Sequence, residues 1–450
     1  MIKNIKIMVS HIKKGIYIVL ISWGIAFIAM LLAYMLPVAS MRQHAEESLS
    51  IFEAEGVSPT LIPGFQSTYL DTYTDMTMLN MALYDGEESV LDKAMKGFYY
   101  KYDESNIFDS GVRYLQGETG EQAVSYARYW HGWIIVLKPL LLCLNYAEIR
   151  MFNFIFQSVL VLILLIKMVG NEHTKPYIAP LFLALMVIMP LSTAMSMGLA
   201  ILYYVMLISM ILLIHFFEQL KSKDEIFLYF VAVGVITCFV DLVTYPLSTV
   251  GILLSLWIML NHKYEKQYGY GWKLLGEAVW LAVGWCAGYL GMWMGKWLIG
   301  SLITDENILK DAVLMVLYRL SHGSGESGQY IEIHTGEILS RNIGVLCNPV
   351  YVIMFVCAVA VIWKKASRDN EHINLSKYEL LLLFGTGCLP FIWYLCVGNH
   401  SYIHYWMTYK LLSVTAFAWG SFLISCIYKV KYIGATKHEW KDGKRKRIIL

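Results

Sequence analysis

GIYIVLISWGIAFIAMLLAYMLP, residues 15–37, decides the class of fold. It carries no charged side chain, and Lys3, Lys6, Lys13 and Lys14 precede it. About 20 apolar residues cross a bilayer core as a helix. A cleaved signal peptide has an apolar region of only about 7–15 residues. The run therefore reads as a retained first membrane span, although PVAS (37–40) has the small residues of a cleavage site.

Further runs of the same kind follow along the 450 residues. The chain is 57% hydrophobic and only 16% charged, where soluble domains carry about 25% charge. The fold class expected is an all-α integral membrane protein of about ten transmembrane helices. The spans lie near 15–37, 151–169, 178–193, 197–217, 225–241, 245–261, 274–300, 349–364, 378–397 and 408–428. The apolar stretch 133–146 is short and is interrupted by Lys138-Pro139, so it is read as lying along the membrane or dipping part-way in. Residues 1–428 form one polytopic domain, with 429–450 as a basic tail.

Positive charge fixes the expected sidedness, because Lys and Arg collect on the cytoplasmic side. One set of links holds Lys175, then Lys221 and Lys223, then Lys263, Lys266 and Lys273, then Lys364, Lys365, Arg368 and Lys377. The tail is the most basic stretch of all. Both termini are therefore read as cytoplasmic. The opposite face carries the large loops 38–132 and 301–348 and short links near 194–196, 241–245 and 398–407. Loop 38–132 is acidic, with fifteen Asp and Glu against six Lys and Arg. No basic stripe or nucleic-acid motif is present, so nucleic acid is excluded as a partner. The eight cysteines fall almost entirely within apolar runs and form no CxxC pair, which reads as buried small hydrophobes.

The unusual polar residues all fall on that outer face. Asp71 and Asp75 head the helix expected in YLDTYTDMTMLNMAL (69–83). Arg128 and His131 lie in ARYWHGW (127–133), and Asp241 and Tyr245 in FVDLVTYP (239–246). His322 lies in the glycine-rich loop 321–328, which follows an amphipathic helix at 306–320. Asn399, His400, His404 and Lys410 lie in GNHSYIHYWMTYK (398–410).

Each has a plain alternative. Asp71 is a good N-cap, and Thr72 with Asp75 approximates a capping box. Asp241 can end a span, but an acid flanked by Phe-Val and Leu-Val is costly unless it faces a cavity or partner. The HxxxH of His400 and His404 lacks the neighbouring Glu of the zinc motif and suits a membrane boundary as well as a metal.

Taken together, these four stretches and the layout resemble the GT-C superfamily of integral-membrane glycosyltransferases. The resemblance implies a helical first extracytoplasmic loop. It also implies transfer of a sugar from a polyprenyl-phosphate carrier to a saccharide or glycolipid acceptor, with inversion, in cell-envelope assembly. Asp71 is then the base, with Asp75 and Asp241 as further catalytic acids. Arg128, His131, Tyr245, His322, Asn399, His400, His404 and Lys410 then form the substrate site. A divalent ion assists in some members, while this sequence names no cofactor and assigns no metal ligand. Many members carry adjacent acids, whereas here the second stands four residues on.

Two other readings remain. One is a lipid-linked saccharide transporter or flippase, which would place ionisable groups mid-span; in the seventh span Glu277 and Lys296 lie towards opposite ends. The other is a non-catalytic cell-envelope assembly protein.

Overall fold

A computed structural model describes residues 2–102, 105–118, 122–262, 270–325, 330–368 and 375–441. Parts of the links 261–273 and 363–377, of the loop 321–328 and of the tail 429–450 lie outside these residues. Lys263 and Lys266 are among them.

The described chain is overwhelmingly helical. Helix α1 (Ile2–Tyr34) leads into a loop that is itself helical. That loop holds α2 (Val38–Glu46), α3 (Leu49–Glu55), α4 (Thr72–Leu83), α5 (Val90–Lys96) and α6 (Ile107–Leu115). An antiparallel ribbon closes it, β1 (Phe98–Lys101) against β2 (Gln122–Ser125), with Phe98 opposite Ser125. Next come α7 (Ile134–Leu141), α8 (Tyr146–Val169), α9 (Ile178–Ile188), α10 (Pro190–Met195) and α11 (Met197–Ser222). They are followed by α12 (Ile226–Val240), α13 (Leu247–Leu260), α14 (Tyr270–Ile303) and α15 (Ile308–Leu320). A short ribbon, β3 (Gly323–Ser324) with β4 (Ile331–Glu332), precedes α16 (Thr335–Gly344) and α17 (Pro349–Arg368). The chain continues through α18 (Lys377–Gly387), α19 (Leu389–Cys396), α20 (Gly398–Ile403), α21 (Tyr405–Thr408) and α22 (Leu412–Lys441).

Among the described residues, six helical segments are long and apolar enough to cross a membrane: Lys6–Tyr34, Tyr146–Val169, Met197–Ser222, Gly271–Ile303, Lys377–Cys396 and Tyr405–Ile427. The bent pair α16–α17, which turns by 75°, makes a seventh if counted as one span. The other three expected spans are shorter apolar helices. The one at 178–193 breaks at Met189, which sits at φ 58 just before Pro190. Proline has no N–H to continue a ladder, and the residue before it is pushed out of helical geometry. Helix α12 has 15 residues and ends at Asp241, and α13 has 14 and starts after Pro246. Such helices rise about 22 Å against a core of about 30 Å. At 8 residues, α7 rises only about 12 Å, too little to cross.

Two packing features position the site. Ten of the twelve residues of α4 are buried, so it lies inside the protein and the acids at its head are withdrawn from water. At its other end, Lys138 Nζ donates to Ala82 O at 2.9 Å, a cation placed where helix carbonyls lack partners. Secondly, α12 and α14 touch backbone to backbone. A Cβ on Gly234 would lie 2.1 Å from Trp285 O, and one on Gly288 would lie 2.1 Å from Val231 O. Small residues allow this close approach. It holds the C-terminal end of α12, and so Asp241, beside the aromatic face of α14.

Candidate functional site

The head of α4 separates the two acids. Asp71 is the N-cap: its side chain accepts from Thr74 N at 3.2 Å, and its own N–H donates to Ser196 Oγ at 3.0 Å. The capping pair expected of Thr72 and Asp75 does not form. The Thr72 hydroxyl instead joins the preceding turn, accepting from Ser58 N at 2.7 Å and donating to Gly56 O at 2.9 Å. One turn further on, Asp75 is fully buried. Its Oδ2 accepts from Tyr146 O–H at 2.5 Å and its Oδ1 from Gly198 N–H at 3.0 Å. Asp75 thus ties α4 to α8 and α11 with both oxygens occupied. The Asp71 carboxylate is held only by its own first turn.

Burial raises both carboxyls above the usual carboxylate range. For Asp75 it outweighs the opposing bonds from Tyr146 and Gly198 and carries the group up to about 7. For Asp71 it outweighs the Thr74 bonds and the charge of Lys410, which favours the ionised form. Lys410 itself forms no ion pair among the described residues. Its three N–H groups go to Ile188 O (2.6 Å), Ser192 Oγ (3.0 Å) and Tyr409 Oη (3.1 Å), and an ammonium has only three to give. It acts on Asp71 through its field rather than as a donor with a bond to spare.

The 239–246 turn holds the third acid. Asp241 Oδ1 accepts from Thr244 N–H at 3.0 Å and Thr244 O–H at 2.5 Å, while Oδ2 is buried without a partner. Val243 sits at φ 63, where a β-branched side chain is strained. Its carbonyl accepts from His400 Nε2–H at 2.7 Å, so the neutral His400 carries its proton on Nε2 and leaves Nδ1 as a buried, unpartnered acceptor. The His400 and His404 rings lie 4.8 Å apart. Burial lowers both imidazoles, His400 to about 3 and His404 well below its ordinary value, with His400 and Arg319 adding to the latter. Tyr245 O–H donates to Leu199 O at 2.6 Å, an anchor to α11.

The remaining candidates divide. Arg128 Nε donates to Asp311 Oδ2 at 3.0 Å on the exposed side of α15. His131, at φ 55, donates from Nε2 to Tyr126 O at 2.7 Å, and burial pushes it down to about 3. This bend lets Gly132 N–H reach Phe239 O at 2.9 Å, which makes His131 a hinge of the loop. Asn399 pins the 321–325 loop, donating from N to Ser321 O (2.8 Å) and from Nδ2 to Gly323 O (2.7 Å). His322 packs against Gly398, within 3.0 Å of where a Cβ would stand.

Sequence reading missed Arg319. It donates to Asn399 Oδ1 at 3.5 Å and lies 5.9 Å from the Tyr318 ring centre, and no carboxylate among the described residues pairs with it. The signal was present in 306–320, where Asp311, Met315 and Arg319 recur every four residues on one helix face.

The site thus has two halves. One joins Asp71, Lys410, Ser192 and Ser196; the other joins Asp241, His400, His404, Arg128 and Arg319. An aromatic bridge links them, with Tyr69 and Trp406 rings 5.6 Å apart and His404 and Trp406 rings 5.1 Å apart.

A cavity of about 330 Å³ opens on the second half, lined by Arg128, Tyr129, Val243, Arg319 and His400 with the aromatic face of α14. A second cavity, about 570 Å³ and almost wholly apolar, lies between α9, α17, α19 and α22 and reaches Tyr351. Asp71 lines neither. No family model, curated protein or solved structure matches this chain.

The divalent ion that the resemblance allows does not fit these residues. Asp71 sits in the field of a lysine, Asp75 has no free oxygen, and among the described residues no three His, Cys, Asp or Glu side chains converge.

Proposed function

We propose that this protein is a GT-C-like glycosyltransferase that moves a sugar from a polyprenyl-phosphate-linked donor to a saccharide or glycolipid acceptor. Asp71 is the base. It takes the proton of the acceptor hydroxyl as that oxygen attacks the anomeric carbon, and the bond from that carbon to phosphate oxygen breaks to release polyprenyl phosphate. A single displacement inverts the anomeric centre. Ten spans, with α9, α12 and α13 as short ones, put both termini in the cytoplasm and the site outside it, in a bacterial plasma membrane.

One observation carries the reading. Of the two acids heading the buried helix α4, Asp75 is consumed by structure while Asp71 keeps a carboxyl whose affinity for protons is raised by burial. A base with an elevated pKa, on a helix tip, suits proton abstraction from an alcohol. Two cavities among the helices offer apolar walls for a carrier lipid.

The test is transfer of radiolabelled sugar from polyprenyl phosphate to acceptors in membranes containing the full chain. Wild type forms labelled product, and Asp71→Asn forms at most about one hundredth as much. Undiminished product in Asp71→Asn removes Asp71 from the chemistry.

A further inference from the structure

Residues 56–70, GVSPTLIPGFQSTYL, lie between α3 and the head of α4 and carry no charge. The fifteen Asp and Glu and six Lys and Arg of loop 38–132 all stand outside this stretch. The stretch folds into a small braced hairpin. Leu70 N–H donates to Pro59 O at 2.8 Å and Leu61 N–H to Thr68 O at 3.1 Å, with Thr60 opposite Tyr69. At the tip, Phe65 N–H donates to Ile62 O at 3.0 Å across Pro63 and Gly64, with Gly64 at φ 81. Proline followed by a left-handed glycine makes a type II turn. The Thr68 hydroxyl holds both sides of it, accepting from Ile62 N–H at 3.1 Å and donating to Phe65 O at 2.8 Å.

The tip is apolar and uncovered. Ile62 is 45% exposed, Pro63 and Gly64 are exposed, and Leu61 and Phe65 are half-buried. A segment that enters lipid must satisfy its own backbone donors. Here Leu61, Ile62 and Phe65 have bonded N–H groups and Pro63 has none, so within 61–65 only the Gly64 N–H is left over.

The surroundings of the hairpin say which medium the tip meets. Ser67, two residues past the turn, accepts at its carbonyl from Tyr409 O–H at 3.1 Å, and its side chain lies beside the Tyr351 hydroxyl. The Tyr69 ring packs on Trp406. Tyr351 opens α17, and Trp406 and Tyr409 open the apolar segment Tyr405–Ile427. Tyr and Trp collect where membrane helices meet the bilayer–water boundary. Beside Tyr351, α17 presents Val350, Val352 and Ile353 uncovered. The bare tip thus stands next to the bare start of an apolar helix, within a group of boundary aromatics.

We propose that this hairpin docks its Ile62–Phe65 turn into the bilayer surface on the side of the large loops. Because the hairpin runs directly into Asp71, the contact sets the depth at which the head of α4 stands against the leaflet. The inference goes beyond the function proposed above and does not depend on it, since it involves no sugar and no role for Asp71 as a base.

The experiment places nitroxide labels in an otherwise cysteine-free full chain, in nanodiscs of phosphatidylcholine and phosphatidylglycerol. Ile62→Cys and Phe65→Cys report on the tip. The references are Glu87→Cys, exposed elsewhere in the same loop, and Ile353→Cys, exposed on α17. Power saturation compares dissolved oxygen, which concentrates in hydrocarbon, with a water-soluble nickel chelate. The tip labels are expected to respond more to oxygen than to nickel, as the Ile353→Cys label does, and to lie about 5–10 Å inside the headgroup boundary. The Glu87→Cys label is expected to show the reverse order. Thermal unfolding of each labelled chain confirms that it is folded, and either tip position carries the test if the other fails to fold. Tip labels that match Glu87→Cys stand in water and overturn the proposal. Tip labels shielded from both reagents pack against protein, as a lid over the site would, and overturn it equally.

Discussion

The hydroxyl of Tyr146, on α8, donates to Asp75 Oδ2 at 2.5 Å, while Asp75 Oδ1 receives Gly198 N–H from the start of α11. One carboxyl thereby joins three helices. Asp75→Ala leaves a buried hydroxyl and a buried amide without their acceptor, a loss of about 1–3 kcal/mol in stability. Asp71→Asn should behave in the opposite way. Asn caps helices as well as Asp does, so Thr74 N–H keeps its acceptor and unfolding stays near wild type while transfer is lost. Thermal unfolding of both variants beside the transfer assay checks the pair. Equal loss of stability in both would show that the two acids do the same structural work.

Stability should also depend on pH through Asp75. Its carboxyl sits up to about 7 in the folded chain, against an unfolded value of about 3.9. Between those values the folded state holds a proton that the unfolded state has released, so unfolding stability falls as pH rises from about 4 to about 7. The contribution is fully present below about 4 and gone above about 7. Asp75→Asn resembles the protonated form and removes this slope. Unfolding midpoints in detergent at a series of pH values should therefore decline more steeply in wild type than in the variant.

Transfer should have its own pH limb. In the proposed role Asp71 acts as a base only when ionised, so activity is expected to rise as pH passes a value above the ordinary carboxylate range. The charge of Lys410 lowers that value. Lys410→Gln keeps a donor for the carbonyl of Ile188 but removes the charge, so the limb is expected to move to higher pH. A profile of kcat/KM against pH that does not move shows that the lysine field does not reach the base.

Much of this was legible in the residues. A run such as 15–37 announces a membrane helix because no charged side chain interrupts it, and 274–300 does so because Glu277 and Lys296 stand towards its two ends. The helix heading with Asp71 could be placed from its cap residue and its Met- and Leu-rich continuation. What could not be read was the division of labour between Asp71 and Asp75, because their spacing says nothing of Tyr146, 71 residues away, or of Gly198. Lys410 reads as a ligand cation, yet Ile188 of α9, Ser192 of α10 and its neighbour Tyr409 take all its donors. Arg319 does not stand out in the sequence because one basic residue on an amphipathic helix is ordinary; only the fold shows that no carboxylate among the described residues pairs with it. The span at 178–193 looked continuous because apolar character hides a backbone break that Met189 and Pro190 impose.

The proposed sidedness can be tested without any substrate. Glu87 is exposed in the first large loop, so a cysteine placed there in an otherwise cysteine-free chain is open to reagents. A membrane-impermeant maleimide is expected to label Glu87→Cys in intact cells, and a cysteine at the exposed Lys223 only after lysis. The reverse pattern would put the α4 acids in the cytoplasm, where lipid-linked donors of the outer leaflet cannot reach them.

The Val243 turn offers the last test, because it isolates backbone strain from packing. Val243 holds φ 63 between the carboxyl of Asp241 and the carbonyl bond to His400. A left-handed conformation costs an L-residue roughly 1–2 kcal/mol, and glycine almost nothing. Val243→Ala and Val243→Gly both lose the methyl groups that line the cavity, but only glycine also releases the strain. The alanine variant should therefore be the less stable of the two, although glycine is elsewhere the worse residue because of its chain entropy. Transfer should fall in both, and further in the glycine variant, because a relaxed turn no longer fixes the Asp241 carboxyl or the Val243 carbonyl that His400 bonds. If the glycine variant unfolds first, the turn is not held under strain and Asp241 is not being aimed by it.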